Sequence, residues 1–385
     1  MARTTRKRRL LVLFPGERFG GAEAHSLRIA DAAHAAGMAV TLAAGAALHP
    51  ALEGSGRVLL DHALAWRRGL PARARQAQAE AARAAIAEAA PELALLPLPW
   101  PDQAGGMFEA LAEARIPTLV VSHLVPHGEE LPGGLDEEAL VAAKVIAGEW
   151  VAVSTPTARR LEAVLGLSPG RVATVANGVD PPPVLEPRQC RARLREALGL
   201  PGDAAIALFL GRLDAAKGAD RLPGLAEAFT RRTGGVLVAA GTGSLEGELA
   251  TLAGPPQPLR LIGHHPAPAE LIAGADLLVM PSRLEGAPLA FLEAAMQGLP
   301  VVASPEALEA LGPRAPELAA LADAEDVGEM ADAMAACLDP LGQAPARAAS
   351  AWRLASAWDG AAMAGAYLAR LRRLAAPALG GPGSG

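Results

Sequence analysis

Short apolar runs alternate with longer amphipathic stretches along almost the whole chain. In the first half, residues 10–14, 39–43, 93–98, 118–122 and 151–154 are dense in Val, Leu and Ala, the pattern of strands covered on both faces. Between them, residues 22–36 and 76–89 carry helical spacing. Pro181, Pro182, Pro183 and Pro187 then interrupt the series, as expected of a linker. A second series follows at 204–211, 236–240, 259–263, 275–280 and 301–303, and a last helical stretch at 346–374 carries Trp352, Trp358 and Tyr367. This alternation predicts an α/β chain of two doubly wound parallel-sheet domains, residues 1–183 and 184–349.

Composition narrows the picture without choosing a function. A chain of 385 residues with 51% hydrophobic and 20% charged residues can build two cores and is not globally disordered. Aromatic residues make up only 3%, so the Ala-rich helices read as compositional bias rather than functional low complexity. Cys190 and Cys337 match neither a metal spacing nor a disulfide framework, which makes a reducing cytoplasm the expected compartment and implies no metal site. The net charge of −6 argues against general nucleic-acid affinity. Arg3, Arg6, Lys7, Arg8 and Arg9 precede an apolar run of five residues, too short for a signal peptide. The run reads as the first buried strand. The basic cluster reads either as a solvated end or as a local anchor for anionic lipid at the inner face of a membrane.

The densest candidate chemistry lies in residues 281–304, PSRLEGAPLAFLEAAMQGLPVVAS. The strand at 275–280 stops at Pro281, and a helix is expected over 286–297 with Leu289, Leu292 and Met296 on its apolar side. Glu285 then stands at the carboxyl edge of a sheet beside a helix N-terminus, where open α/β sheets bind ligands and where backbone N–H groups favour phosphate. Glu293, about two turns further on, is too deep to be a cap and suits the hydroxyl donors of a ribose or a sugar.

Glu-x7-Glu followed by Ala-x-x-x-Gly-Leu-Pro-Val-Val-Ala resembles the donor-site signature of the retaining family 4 glycosyltransferases. Gly20-Gly21-Ala22-Glu23, Asn177-Gly178-Val179-Asp180, Gly211-Arg212 and Lys217-Gly218 agree in order, so the resemblance runs from about residue 10 to 371. It implies the GT-B fold: two Rossmann-like domains facing a central cleft, the first for the acceptor and the second for the nucleotide sugar. A closing helix at about 350–374 would complete the first domain.

The resemblance also implies roles. Glu285 would bond the transferred sugar, Glu293 the ribose, and Gly286 and Ala287 would offer backbone N–H groups. Pro288 departs from the second glycine of many relatives and has no N–H, so that contact shifts to Leu289 or is absent. Arg212 and Lys217, flanked by Gly211 and Gly218, would meet the charge of the leaving diphosphate. Their bland reading is a pair of solvated loop charges. Gly241 and Gly243 resemble the donor-side glycine loop, Gly263-His264-His265 would border the base, and Gly20 and Gly21 would reach the donor phosphate. A plain tight turn is the competing reading for each glycine loop. His123 resembles the histidine near the reacting sugar, with His127 as local competitor. After Ser304 the Gly-Gly-x-x-Glu of many relatives is missing.

The implied reaction is a metal-independent hexosyl transfer with retention, from a UDP- or GDP-sugar to a glycan, lipid-linked or small-molecule hydroxyl, as in polysaccharide biosynthesis. The nucleotide sugar would be co-substrate, with no further cofactor. A front-face route is favoured, the leaving phosphate taking the acceptor proton. Asp323-Ala-Glu325-Asp326 reads as helix N-terminal charge rather than a metal motif. A GT-B nucleotide-sugar epimerase and a non-catalytic partner protein remain alternatives.

Overall fold

The computed structural model describes residues 7–66, 70–128, 135–200 and 204–376; Arg3 and Arg6 of the basic cluster lie outside them. Contacts divide the chain into two units: the part up to Ala176 together with the segment from Ala361 onward, and Asn177–Gly360.

The first unit is built on β1 (Arg9–Leu13), β2 (Ala39–Ala44), β3 (Val58–Asp61), β4 (Leu93–Leu98), β5 (Thr118–Ser122), β6 (Gly148–Ala152) and β7 (Val172–Thr174), all parallel, in the order β3-β2-β1-β4-β5-β6-β7. Alternate residues of β1 enter different cores, as the two-residue period of a strand requires. Leu11 and Leu13 pack with Ala82, Ala85 and Phe108, while Leu10 and Val12 pack with Ile29, Ala33 and Tyr367. Strands β3 and β7 were not expected. Val58–Asp61 is an edge strand with exposed ends, and Val172–Thr174 has three residues, so neither makes an apolar run.

The second unit carries β8 (Ile206–Leu210), β9 (Val236–Ala240), β10 (Leu259–Gly263), β11 (Leu277–Met280), β12 (Val301–Ala303) and β13 (Ala320–Leu321), again parallel, in the order β10-β9-β8-β11-β12-β13. The order reverses between β8 and β11, which makes their carboxyl ends the switch point of this sheet.

The closing helix differs from expectation. It is two helices, Ala344–Ala357 and Gly360–Ala375, broken at Trp358 (φ −101°, ψ 71°). The break has a tertiary cause. Val179 N–H donates to Trp358 O at 3.0 Å and Gly360 N–H to Val179 O at 3.1 Å, a one-residue parallel bridge centred on Val179 and Asp359. An added Cβ at Gly178 would collide with the Asp359 carbonyl, so only glycine allows the crossing. The second helix then buries Met363, Tyr367 and Leu371, at four-residue spacing, in the core of the first unit. Among the described residues, no helix is long and apolar enough to cross a membrane.

Candidate functional site

In the second unit, the loops leaving β8 and β11 are locked together. Asp214 Oδ1 accepts from Lys217 N at 3.0 Å and starts the short turn Ala215–Lys217. Ala216 O receives two N–H groups from the other loop, Arg283 at 2.9 Å and Leu284 at 3.2 Å. Gly218 has φ +70°, and an added Cβ there would collide with Pro281 O, which also accepts from Arg221 Nη1 at 2.8 Å. Arg283 grips Asp220 through two bonds of 2.6 and 2.8 Å, and this holds the Asp220 carboxyl below its usual range.

This frame brings two of the expected residues together. Lys217 Nζ lies 2.5 Å from Glu285 Oε2, with side-chain exposures of 19% and 9%. Ser282 Oγ donates to the other carboxylate oxygen, Oε1, at 3.1 Å. Arg212 is not part of the pair. Its side chain is 48% exposed and reaches Asp214 at 3.2 Å.

The helix bearing Glu293 starts later than expected, at Leu289, with Pro288 as its N-cap. Proline disfavours helical geometry in the residue before it, so Gly286 and Ala287 stay in the loop. Leu289 opens the helix, so its N–H is among those the helix itself leaves unbonded. Asn177 Nδ2 donates to Ala287 O at 3.4 Å, a structural task for the Asn-Gly-Val-Asp segment. Glu293 is half-buried within the helix Leu289–Met296.

The glycines separate by what surrounds them. An added Cβ would collide with Gly211 O at Gly241 (φ +146°) and with Leu213 O at Gly243, so both are required by packing of the loop after β9 on the loop after β8. Gly211 is different. An added Cβ there would meet only the Phe209 ring, at an ordinary 3.8 Å, so packing does not demand glycine. Gly263 has φ +64° and ends β10, and His265 Nδ1 accepts from Ala267 N at 3.2 Å.

In the first unit, Gly20 caps the helix Gly21–Ala35 in extended geometry. Its N–H donates to Glu23 Oε2 at 3.0 Å, so the buried carboxylate of Glu23 engages a donor that the sequence assigned to a phosphate. His123 follows β5 and is half-buried, its N–H donating to Leu98 O at 2.9 Å. Its ring meets His25 edge to face at 4.8 Å, and His25 meets Tyr367 likewise at 5.1 Å. Both His25 nitrogens, His123 Nε2 and Tyr367 Oη are buried without hydrogen bonds to the described residues. Burial, then nearby Arg28, lowers the His25 pKa to about 3, and burial, then His25, takes His123 well below its ordinary value. Burial raises the Tyr367 phenol. All three rings are therefore neutral near pH 7. His127 is exposed beside Arg160 at 3.4 Å.

Sequence reasoning missed Ser282, His25 and Tyr367. The Ser-x-x-Glu and Asp-x-x-Lys spacings were local clues to Ser282 and Asp214, whereas Tyr367 reaches His25 only through the fold. Glu325 of the acidic cluster pairs with Arg221 and Arg283, and Asp326 Oδ1 caps the helix Val327–Ala336 by accepting from Glu329 N at 3.0 Å. Among the described residues, Glu109, Asp136 and Glu138 also converge, and all three pair with Arg75.

Two family models match the chain: "Glycosyltransferase Family 4" over residues 19–182 and "Glycosyl transferases group 1" over residues 204–340. A D-inositol 3-phosphate glycosyltransferase from Catenulispora acidiphila is 34% identical over 220 residues, covering 53% of this chain and 51% of that protein. The chain thus spans about half the length of the curated relatives it matches. A glycosyltransferase structure from Rickettsia africae superposes with a TM-score of 0.75 at 14% identity, over 96% of this chain and 98% of the other. HepE from Anabaena, solved in complex with UDP-glucose, gives 0.75 at 20% identity over 95% and 99%. At these identities the structural matches speak for the fold alone, and that fold is GT-B.

Proposed function

Because this chain belongs to the family 4 glycosyltransferases, we propose that it is a retaining, metal-independent hexosyltransferase using a nucleotide diphosphate sugar. The observation that carries the reading is the convergence of Lys217, Ser282 and Glu285 at the switch point of the second sheet. That edge is where α/β sheets receive nucleotides.

In this reading Lys217 meets the diphosphate as negative charge develops on it, and half-exposed Arg212 turns toward the same oxygens. Glu285 accepts from a hydroxyl of the transferred sugar, and Glu293 from the ribose. The N–H groups of Gly286, Ala287 and Leu289 supply neutral donors, and Gly211 gives the phosphates close approach. Gly241 and Gly243 shape the wall of that site through packing, and Gly21 presents the helix start of the first unit. His123, neutral at working pH, orients a sugar hydroxyl without adding charge. Glu23 of the glycine loop is occupied in capping, which favours a front-face route in which the leaving phosphate takes the acceptor proton. The basic N-terminus rests on anionic lipid at the cytoplasmic face in the same reading.

The test is a donor screen. A nucleotide sugar present at about 100 times its dissociation constant should stabilise the protein by about 2.7 kcal/mol. UDP-glucose and GDP-mannose are the first probes, followed by transfer assays with glycan and lipid-linked acceptors. D-inositol 3-phosphate, named in the curated relatives, belongs on the acceptor panel. Transfer should persist in EDTA. Abolition by chelation with rescue by Mn²⁺ would overturn metal independence, and an epimerised donor in the absence of acceptor would replace the transferase reading with an epimerase.

A further inference from the structure

Lys217 and Glu285 are assigned above to different parts of the donor, the diphosphate and the sugar, yet in this structure they bind each other at 2.5 Å. We propose that this ion pair selects the intact nucleotide diphosphate sugar over the bare nucleotide diphosphate, because a ligand that takes Lys217 must also satisfy Glu285. The inference rests on the donor-site reading and adds a specificity role for the pair.

The two loops cannot part to relieve the competition. Ala216 O holds two N–H groups of the Glu285 loop, and the Cα of Gly218 sits against Pro281 O. Asp214 fixes the Lys217 backbone. Only the side-chain torsions of Lys217 and Glu285 are left to change. A diphosphate draws the ammonium away, and among the described residues Glu285 then keeps the Ser282 hydroxyl at 3.1 Å. A carboxylate as enclosed as this one, 9% exposed, is costly to leave without its cation. The sugar of an intact donor offers a hydroxyl to the vacated Oε2. A bare nucleotide diphosphate has nothing to offer there. The pair therefore penalises the spent nucleotide more than the donor, which favours product release after transfer.

Calorimetry on the full chain tests this with UDP, UDP-glucose, GDP and GDP-mannose, on wild type, Glu285→Gln and Ser282→Ala, each checked by thermal melting. Glu285→Gln frees Lys217 while leaving a neutral side chain of the same shape. It should bind the nucleoside diphosphate about tenfold more tightly, the ratio that corresponds to about 1.4 kcal/mol. The intact sugar nucleotide should gain much less or lose affinity, so the preference for donor over product shrinks. Ser282→Ala should move the preference the other way, because Glu285 then has one partner fewer once Lys217 leaves. It carries the test if Glu285→Gln melts below the assay temperature. An unchanged donor-to-product preference in both variants refutes the inference. So does weaker binding of bare nucleotide by Glu285→Gln, which would show Glu285 presenting Lys217 to the phosphate. Failure of wild type to bind any of the four probes removes the donor-site reading, and the inference with it.

Discussion

The charged cluster of the second unit and the aromatic cluster of the first handle polarity in opposite ways. At the Lys217–Glu285 pair the polar groups are held: Nζ by Glu285, the Lys217 N–H by Asp214, and the carboxylate by Ser282 as well. Around His25 the rings of His25, His123 and Tyr367 pack edge to face, and four of their polar atoms have no hydrogen-bond partner among the described residues. The first arrangement holds charge where an anionic ligand must compete for it. The second expels charge, so its histidines stay neutral near pH 7.

Breaking the charged cluster should have the largest effect. On the proposed assignment of Lys217 to the leaving diphosphate, Lys217→Ala is expected to lower kcat roughly 100-fold or more, as when one transition-state donor is deleted. Arg212→Ala should cost less, because that side chain is 48% exposed and outside the Lys217–Glu285 pair. Initial rates at saturating donor measure both, and wild-type turnover in folded Lys217→Ala would sink the assignment.

The glycines around the charged cluster sharpen the contrast between shape and ligand contact. Gly241→Ala places a Cβ into Gly211 O at φ +146°. It should destabilise the fold by roughly 2–4 kcal/mol, in the range of strain at special backbone positions. Gly211→Ala meets only ordinary contact with Phe209, so stability should stay within about 0.5 kcal/mol of wild type. Donor affinity should nevertheless drop if phosphate approaches there. Denaturant melts and calorimetry separate the two outcomes; equal destabilisation by both would remove the distinction between a packing glycine and a binding glycine.

What the sequence revealed of these clusters follows from the range of the forces involved. Glu285 and Lys217 were legible singly, because each sits in a loop just past a buried apolar strand. Their pairing was not, since it depends on β8 and β11 being neighbours in the sheet. The helix was expected from Gly286 because Leu289, Leu292 and Met296 mark its face but not its start, which Pro288 sets. The break at Trp358 was hidden for the same reason: helical spacing runs through it, and a long-range bridge to Val179 interrupts it. His123 was found at a strand end, but its neighbours His25 and Tyr367 come from a helix near each end of the chain. The Rossmann-like alternation was the most legible feature, because strands buried on both faces must be apolar throughout.

The aromatic cluster should make the protein acid-sensitive. His25 has its pKa lowered from 6.5 to about 3, and His123 shifts the same way, so between those values the unfolded chain binds more protons than the folded one. Stability then rises with pH across that window and is lost as pH falls from about 6.5 toward 3. His25→Phe should flatten the dependence of Tm on pH in that range relative to wild type. An unchanged slope would mean that His25 is protonated in the folded protein at mild acidity, hence not sealed from solvent.

The smallest expected effect tests whether the unpartnered atoms are truly dry. Tyr367 is fully buried at the second helix of the closing pair, with its hydroxyl bonded to none of the described residues. A buried polar group without a partner forfeits about 1–3 kcal/mol of solvation, whereas its removal to an apolar group of the same shape is neutral or favourable. Tyr367→Phe keeps the ring against His25 and deletes only the hydroxyl, so stability should rise by about 1 kcal/mol, read as a higher Tm at pH 7. His25→Leu in the same background should add little, since the edge-to-face contact it loses offsets the nitrogens it removes. A lower Tm for Tyr367→Phe would show that the phenol does have a partner in solution. The cluster would then be a hydrated one, and the contrast between a charged, paired cluster and a neutral, dry aromatic one would narrow to a difference in charge alone.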